Sequence, residues 1–238
     1  MATYHLKSPC RVEDGQYIAQ NKVSAFWEEA WWRSTWTGKT RESVIQGVAD
    51  RSPKNLLTDR EVRRHQKVIH HDTGDIVGYA RWILPESHKD SWLTAQTPDV
   101  SDEEKEAFSR RYEEADWNPC SDNDYLDDHI DGWKEKHKHE RYMELHYIGV
   151  RPDHQKKGVA SILVNSGLEE ARKLGLDVVL IAMGRRACRL YSKHGFEVLE
   201  EKSQSMSDLG HDELYETFFM IWRAGNQVEP TAAHPDLR

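Results

Sequence analysis

The stretch Gln155-Lys156-Lys157-Gly158-Val159-Ala160-Ser161 has the residue types of an oxyanion cradle. It follows a run of strand character that ends at Arg151-Pro152 and precedes a run with helical spacing. The first-turn N–H groups of a helix have no internal acceptor, and the helix dipole favours negative charge there. Gly158 has no Cβ to hold a phosphate off the backbone. Arg151, Lys156 and Lys157 gather positive charge in a chain that is acidic as a whole. A diphosphate would use all of these features together; a tight turn with solvated lysines would use some of them. Two other phosphate motifs drop out. Gly38-Lys39-Thr40 has the end of a P-loop, but Arg33 stands where its first glycine belongs. No GxGxxG follows the strand at Val150.

Glu144 and His146 are two apart on that strand, so their side chains share a face. A histidine titrates near 6.5 and burial raises a carboxylate, so either suits proton abstraction near neutral pH. Two solvent-facing polar residues are the plainer reading. Cys188 precedes Tyr191 by one helical turn and reads as a small core residue rather than an acyl carrier. The histidines at His70-His71, His129 and His137-x-His139 come with no HExxH or Cys/His set, so no metal site is expected.

These side chains need a frame. Met143 to Val150 reads as a strand. Val159, Ile162, Leu163, Gly167, Ala171 and Leu174 mark the buried stripe of a helix, which Gly175 caps. Val178 to Ala182 is a continuous apolar run, as in a strand covered on both faces. Strand, crossover helix and strand imply a parallel pair with right-handed connection. A short helix over about 186–193 and strands at 196–199 and 214–222 close the pattern. Upstream, Tyr4 to Ser8 reads as a strand and Val12 to Trp32 as helical. The runs 67–70 and 76–82 flank Asp72-Thr73-Gly74-Asp75 as a hairpin. Residues 85–141 are polar, with an acidic run from Asp102 to Glu106, and are too long for a simple connection. The expected organisation is one domain over 1–224 containing this insertion, then a disordered tail over 225–238.

Composition excludes several classes. With 238 residues, 33 basic against 41 acidic side chains and a net charge of −8, the chain is a poor non-specific binder of nucleic acid or anionic membranes. The same balance would favour a cationic, partly apolar partner. No apolar run has the length of a membrane span, and the N-terminus lacks a signal-peptide core. Three cysteines without a CxxC pair fit a reduced, cytoplasmic protein; a monomer or homodimer is the expected state, and no residue pattern selects between them.

Ile148-Gly149-Val150-Arg151-Pro152, then Gln155-x-x-Gly158-x-Ala160, then helix and strand, then Leu190-Tyr191-x-x-x-Gly195-Phe196 resembles the GNAT acyltransferase superfamily. The likeness is firm over 142–199 and looser over 1–84; the long polar segment before the fourth strand is most like fungal-type small-molecule members. It implies a mixed, largely antiparallel sheet flanked by helices, with the polar insertion between the third and fourth strands. It also implies acetyl-CoA as co-substrate, its pantetheine slotted between splayed fourth and fifth strands. Ile148, Gly149 and Val150 would pair with the pantetheine amides, and Gln155, Lys156, Lys157, Gly158, Val159, Ala160 and Ser161 would hold the pyrophosphate. Ala160 replaces the more usual glycine. Glu144 and His146 match positions of the group that deprotonates an acceptor amine, Glu144 slightly favoured. Tyr191 matches the tyrosine that protonates the departing thiolate, a transfer expected to run downhill from a phenol near 10 to a thiol near 8.5. Lys193 would assist the cofactor, and Trp27, Trp31 and Trp82 would wall the acceptor pocket. The implied activity is N-acetylation of a small-molecule amine by direct attack. Peptide or protein acetylation, or a catalytically silent CoA sensor, are the alternatives.

Overall fold

The computed structural model describes residues 3–136 and 142–226. Seven strands, β1 (Tyr4–Lys7), β2 (Arg63–His70), β3 (Ile76–Ile83), β4 (Tyr142–Val150), β5 (Asp177–Met183), β6 (Glu197–Ser205) and β7 (Leu214–Trp222), form one sheet. Its order is β1-β2-β3-β4-β5-β7-β6, with β4 and β5 parallel and every other pair antiparallel. The 67–70/76–82 hairpin is thus present, longer on its first strand than the apolar pattern suggests. The helices are α1 (Gly15–Phe26), α2 (Ala30–Thr35), α3 (Arg41–Leu57), α4 (Asp102–Glu114), α5 (Asp128–Lys136), α6 (Val159–Leu174) and α7 (Gly184–Lys193).

Helix α6 lays Val159, Leu163, Val164, Leu168 and Ala171 on one face of the sheet, against Ala80, Trp82, Met143, Leu145, Val178 and Leu180. Gly167 is needed there: a Cβ would fall 2.1 Å from the Trp82 ring. On the other face α1 and α3 bring Ile18 and Leu56 onto Tyr79 and Tyr147. Further along, α5 stacks Ile130 and Trp133 on Val179, Phe219 and Ile221.

The sequence reading differs from this in several places. The strand read at 196–199 runs on to Ser205 as β6, and α5 lies in the segment read only as polar. The helical pattern of 12–32 is two helices, because Glu29 is extended (φ −81°, ψ 124°) and turns the chain between α1 and α2. Helix α3 has no counterpart in the sequence reading, since Gly47 and Pro53 interrupt its apolar stripe; both are buried, and a Cβ on Gly47 would meet the Asp116 carbonyl at 2.7 Å. The acidic run is the first turn of α4, where Ser101 and Glu104 form a capping box and the carboxylates face the positive end of the helix dipole. Of the tail, 225–226 close a short turn and the remainder lies outside the described residues.

Candidate active site

Strands β4 and β5 pair only at Tyr142↔Asp177, Met143↔Val178 and Glu144↔Val179. Beyond Glu144 the two strands part, and β4 continues to Val150 with one edge unpaired. On its other edge β4 pairs with β3, where Arg81 and Trp82 oppose Tyr147 and Leu145, leaving His146 as the extra residue of a bulge. The Arg151 N–H donates to the Val77 carbonyl (2.9 Å). By the alternation of an antiparallel ladder, the amide groups of Ile148 and Val150 then point into the gap, and those of Gly149 point toward β3. Gly149 therefore does not offer its backbone to a pantetheine. Its missing side chain instead admits α1, since a Cβ would lie 3.3 Å from both Ala25 and Asn21.

At the end of the gap stands the α6 N-terminus. Lys156 (φ +60°) and Gly158 (φ +86°) are left-handed, and Gly158 caps α6 without any side-chain bond to the first turn. The first helical bond runs from Ile162 N–H to the Gly158 carbonyl, so earlier N–H groups have no partner within the helix. A Cβ on Gly158 would meet no atom within 4 Å, so the space over this turn is open. Lys156 and Lys157 are exposed beside it. The geometry fits a diphosphate. Arg151 adds less charge than its position suggests, being paired with Asp153 (2.6 Å) and Asp75 (3.3 Å). Gln155 is a brace: its amide donates to the Val150 carbonyl (3.0 Å) and accepts from Arg186 of α7 (2.6 Å). His194 likewise ties Ser161 (3.0 Å) and Asn165 (2.9 Å) of α6 to the end of α7. Arg186 and His194 escaped the sequence reading, since a partner 31 or 33 residues away leaves no local signature.

Glu144 sits at the last paired position and His146 on the bulge, with His146 Nδ1 3.3 Å from Glu144 Oε1 and both side chains about a third exposed. The contact falls short of a well-formed hydrogen bond in angle. Burial pushes the Glu144 carboxyl up, but His146, Lys134 and Arg81 outweigh it and hold the group below the usual carboxylate range. Burial pushes the His146 imidazole down, aided by Arg81 and Lys134 and opposed by Glu144, to below its ordinary value. Near neutral pH the pair is therefore an ionised carboxylate beside a neutral imidazole. With the Nδ1 proton toward Glu144, Nε2 is left with its lone pair.

Tyr191 projects from α7 into the core, its ring edge-on to Phe196 at 5.7 Å. Burial pushes its phenol well above 10. The downhill proton transfer expected from the sequence fails on sign. A phenol at 10 gives its proton to a thiolate of pKa 8.5 only uphill, by about 2 kcal/mol, and burial adds to that. The hydroxyl suits donation of a hydrogen bond to a developing thiolate. Lys193 is exposed at the end of α7.

The tryptophans divide. Trp82 is fully buried in the α6 core, on the sheet face opposite Glu144, and lines no pocket. Inward orientation follows from its place on β3, one residue out of phase with Arg81. Trp27 is covered by the Arg33 guanidinium at 4.4 Å. Trp31 belongs to a chain of rings, Tyr147–Phe26 (5.8 Å), Phe26–Trp31 (5.7 Å) and Trp31–Tyr215 (6.0 Å), that spans the gap from β4 to β7. Phe26 and Tyr147 thus pack beside the β4 edge and were not singled out in the sequence, while Tyr215 is buried, its hydroxyl bonded to Asp127. A separate cavity of about 430 Å³, between Arg33, Cys120, Asp208 and His211, includes none of these groups. His137 and His139 lie outside the described residues.

Residues 25–196 match the sequence profile described as the Acetyltransferase (GNAT) family. Among solved structures, the C-terminal condensation domain of Ebony in complex with β-alanyl-dopamine superposes with a TM-score of 0.61 at 13% identity, covering 94% of this chain and 100% of that one. The histone acetyltransferase HPA2 and related acetyltransferase from Corynebacterium glutamicum gives 0.54 at 17% identity, over 97% and 99%. The polyamine N-acetyltransferase of Drosophila melanogaster, which forms N-acetylagmatine, gives 0.54 at 13% identity, over 93% and 100%. At such identities the likeness is one of fold. No curated protein sequence matches the chain.

Proposed function

Because the chain belongs to the acetyltransferase (GNAT) family, we propose that it transfers the acetyl group of acetyl-CoA to the amine of a small molecule by direct attack in a ternary complex. The observation that carries this reading is the parting of β4 and β5 after Glu144↔Val179, beside a helix N-terminus whose first-turn N–H groups receive no side-chain cap. Ile148 and Val150 would bond the pantetheine amides, and the 155–161 turn would hold the pyrophosphate. The thioester supplies an activated acyl carbon. His146 Nε2 takes a proton from the ammonium of the acceptor, directly or through water, while Glu144 orients the ring and stabilises its charge. The neutral amine then forms the C–N bond as the C–S bond breaks, Tyr191 hydrogen-bonds the sulfur as it gains charge, and the remaining ammonium-like proton on the new amide nitrogen passes through water to the thiolate, leaving the amide and the CoA thiol.

The packed rings of Phe26, Trp31 and Tyr147 lie beside the β4 edge and would give a small acceptor an apolar surface to rest on. The small molecules named for two structural neighbours, β-alanyl-dopamine bound to one and N-acetylagmatine formed by the other, point the same way. No helix among the described residues is long and apolar enough to cross a membrane, and the three cysteines are free thiols, which suits a cytoplasmic enzyme. Thiol release from acetyl-CoA with a panel of amines, amino acids and peptides tests the reaction. Binding of acetyl-CoA by calorimetry without turnover of any acceptor would identify a CoA sensor instead.

A further inference from the structure

The face that carries Glu144 also carries a cluster of cationic side chains. Register puts Arg63, Ile83 and Glu144 in one row across β2, β3 and β4, and His65, Arg81 and Tyr147 in the next. Cross-strand partners point to the same side of a sheet, with adjacent strands about 4.8 Å apart. From α1, the Lys22 ammonium lies over the Tyr147 ring, 4.8 Å from its centre. Burial, together with Arg81, Arg51 and Arg63, lowers its pKa to about 7.

Of the nearby carboxylates, none among the described residues makes a salt bridge with Arg81 or Lys22, although Glu144 is within electrostatic reach of Arg81. Asp59 pairs with Arg63 at 2.7 Å, and Glu144 lies against His146. Arg51 stacks on Tyr112 and Trp117. Among the described residues Arg81 and Lys22 have no carboxylate partner, and the buried Arg81 Nε has no hydrogen-bond partner at all. Beside Arg81, His65 is 1% exposed, with Nδ1 on the Tyr79 hydroxyl (2.8 Å) and Nε2 unpaired. Clustered cations and orphaned polar atoms are costly to bury unless an anion completes them.

We propose that the acceptor is an amine that also bears a carboxylate, that is, an amino acid, with Arg81 and Lys22 holding the carboxylate one strand away from the group that deprotonates the amine. The inference rests on the amine-acetylation reading and adds its substrate class. A planar guanidinium pairs a carboxylate through two parallel hydrogen bonds, and Lys22 adds a second charge. The net charge of −8 predicts the opposite, a cationic acceptor. Net charge governs the distant field, but the charges within a few ångströms govern binding.

The test is thiol release from acetyl-CoA with matched probes: phenylalanine against phenethylamine, leucine against 3-methylbutylamine, and β-alanine against ethylamine, with phosphoethanolamine and spermidine alongside. At least one amino acid should exceed its decarboxylated partner in kcat/KM by about tenfold or more. Arg81→Gln should reduce that ratio by about tenfold, mainly through KM, with Arg81→Lys restoring part of it. Lys22→Met should reduce the ratio as well, and circular dichroism should show all three variants folded. Preference for the decarboxylated amines or spermidine, a preference for phosphoethanolamine, or a ratio unmoved in folded Arg81→Gln and Lys22→Met would overturn the carboxylate site while leaving acetyl transfer intact. Acetyl-CoA binding with no probe turned over would overturn the transfer reading itself, and this inference with it.

Discussion

Replacing Glu144 by Gln should lower the pKa of His146 further and carry the acid limb of the pH–rate profile with it. The carboxylate lies 3.3 Å from Nδ1. At that distance, unit charges interact by about 1.3 kcal/mol in a water-like dielectric and by about 2.5 kcal/mol in one of half that polarity. Both side chains are about a third exposed, so the lower part of that range applies. The loss converts to about one pKa unit. Its sign follows from the charge: Glu144 stabilises the imidazolium, and the neutral amide does not. The variant should therefore keep its base deprotonated to lower pH, yet reach a plateau lower by roughly threefold to tenfold because a weaker base abstracts protons more slowly. Histidine NMR titration reads the pKa directly, the resonance being assigned by its loss in His146→Ala, and thiol release across pH reads the limb. A His146 pKa that rises or stays fixed in Glu144→Gln would refute the electrostatic argument. Loss of the limb in Glu144→Gln and its survival in His146→Ala would make the carboxylate the base.

Gly158→Glu should abolish calorimetric binding of acetyl-CoA with a native circular dichroism spectrum, since the Cβ meets nothing within 4 Å and the left-handed backbone costs only about 1–2 kcal/mol; unchanged affinity in the folded variant would remove the turn from the site. Tyr191→Phe should cut kcat by roughly 10- to 100-fold while leaving acetyl-CoA affinity nearly constant, and full activity would reduce Tyr191 to a packing residue. Gly167→Ala should fail to fold or lose much of its thermal stability, because the methyl would sit 2.1 Å from the Trp82 ring; a melting temperature close to wild type would contradict the packing of α6.

Elements whose side-chain period is regular and whose ends carry caps were legible before folding was known. The β4–α6–β5 unit is the clearest case, with its stripe from Val159 to Leu174 and its glycine at 175. Strand β7 was read over its full length as well. Helix α3 was lost because Gly47 and Pro53 look like breakers, although each is chosen for what packs against it. For the site, local motifs located the turn at Gly158 and the Glu144–His146 pair. Orientation was less legible. Trp82 was expected to wall the acceptor pocket but packs under α6, because side-chain direction on β3 depends on the phase of its pairing with β4, across a bulge that only the register reveals. The ring chain from Tyr147 to Tyr215 and the positive charge of Arg81 and Lys22 arise from contacts between distant segments and leave no trace in any short window.

Three residue pairs are all that stitch β4 to β5, so the sheet is mechanically two panels, β1 to β4 and β5 to β7, sewn at one end. What keeps the panels at a fixed spacing is α6, whose Val159, Leu163 and Leu168 belong to one cluster with side chains of both panels. The helix acts as a spacer bar, and the width of the slot is set by the volume of apolar side chains that never touch the chemistry. An occupant lying along the open edge of β4 would act as a removable stave, bracing the two panels while bound and returning them to their single seam when it leaves.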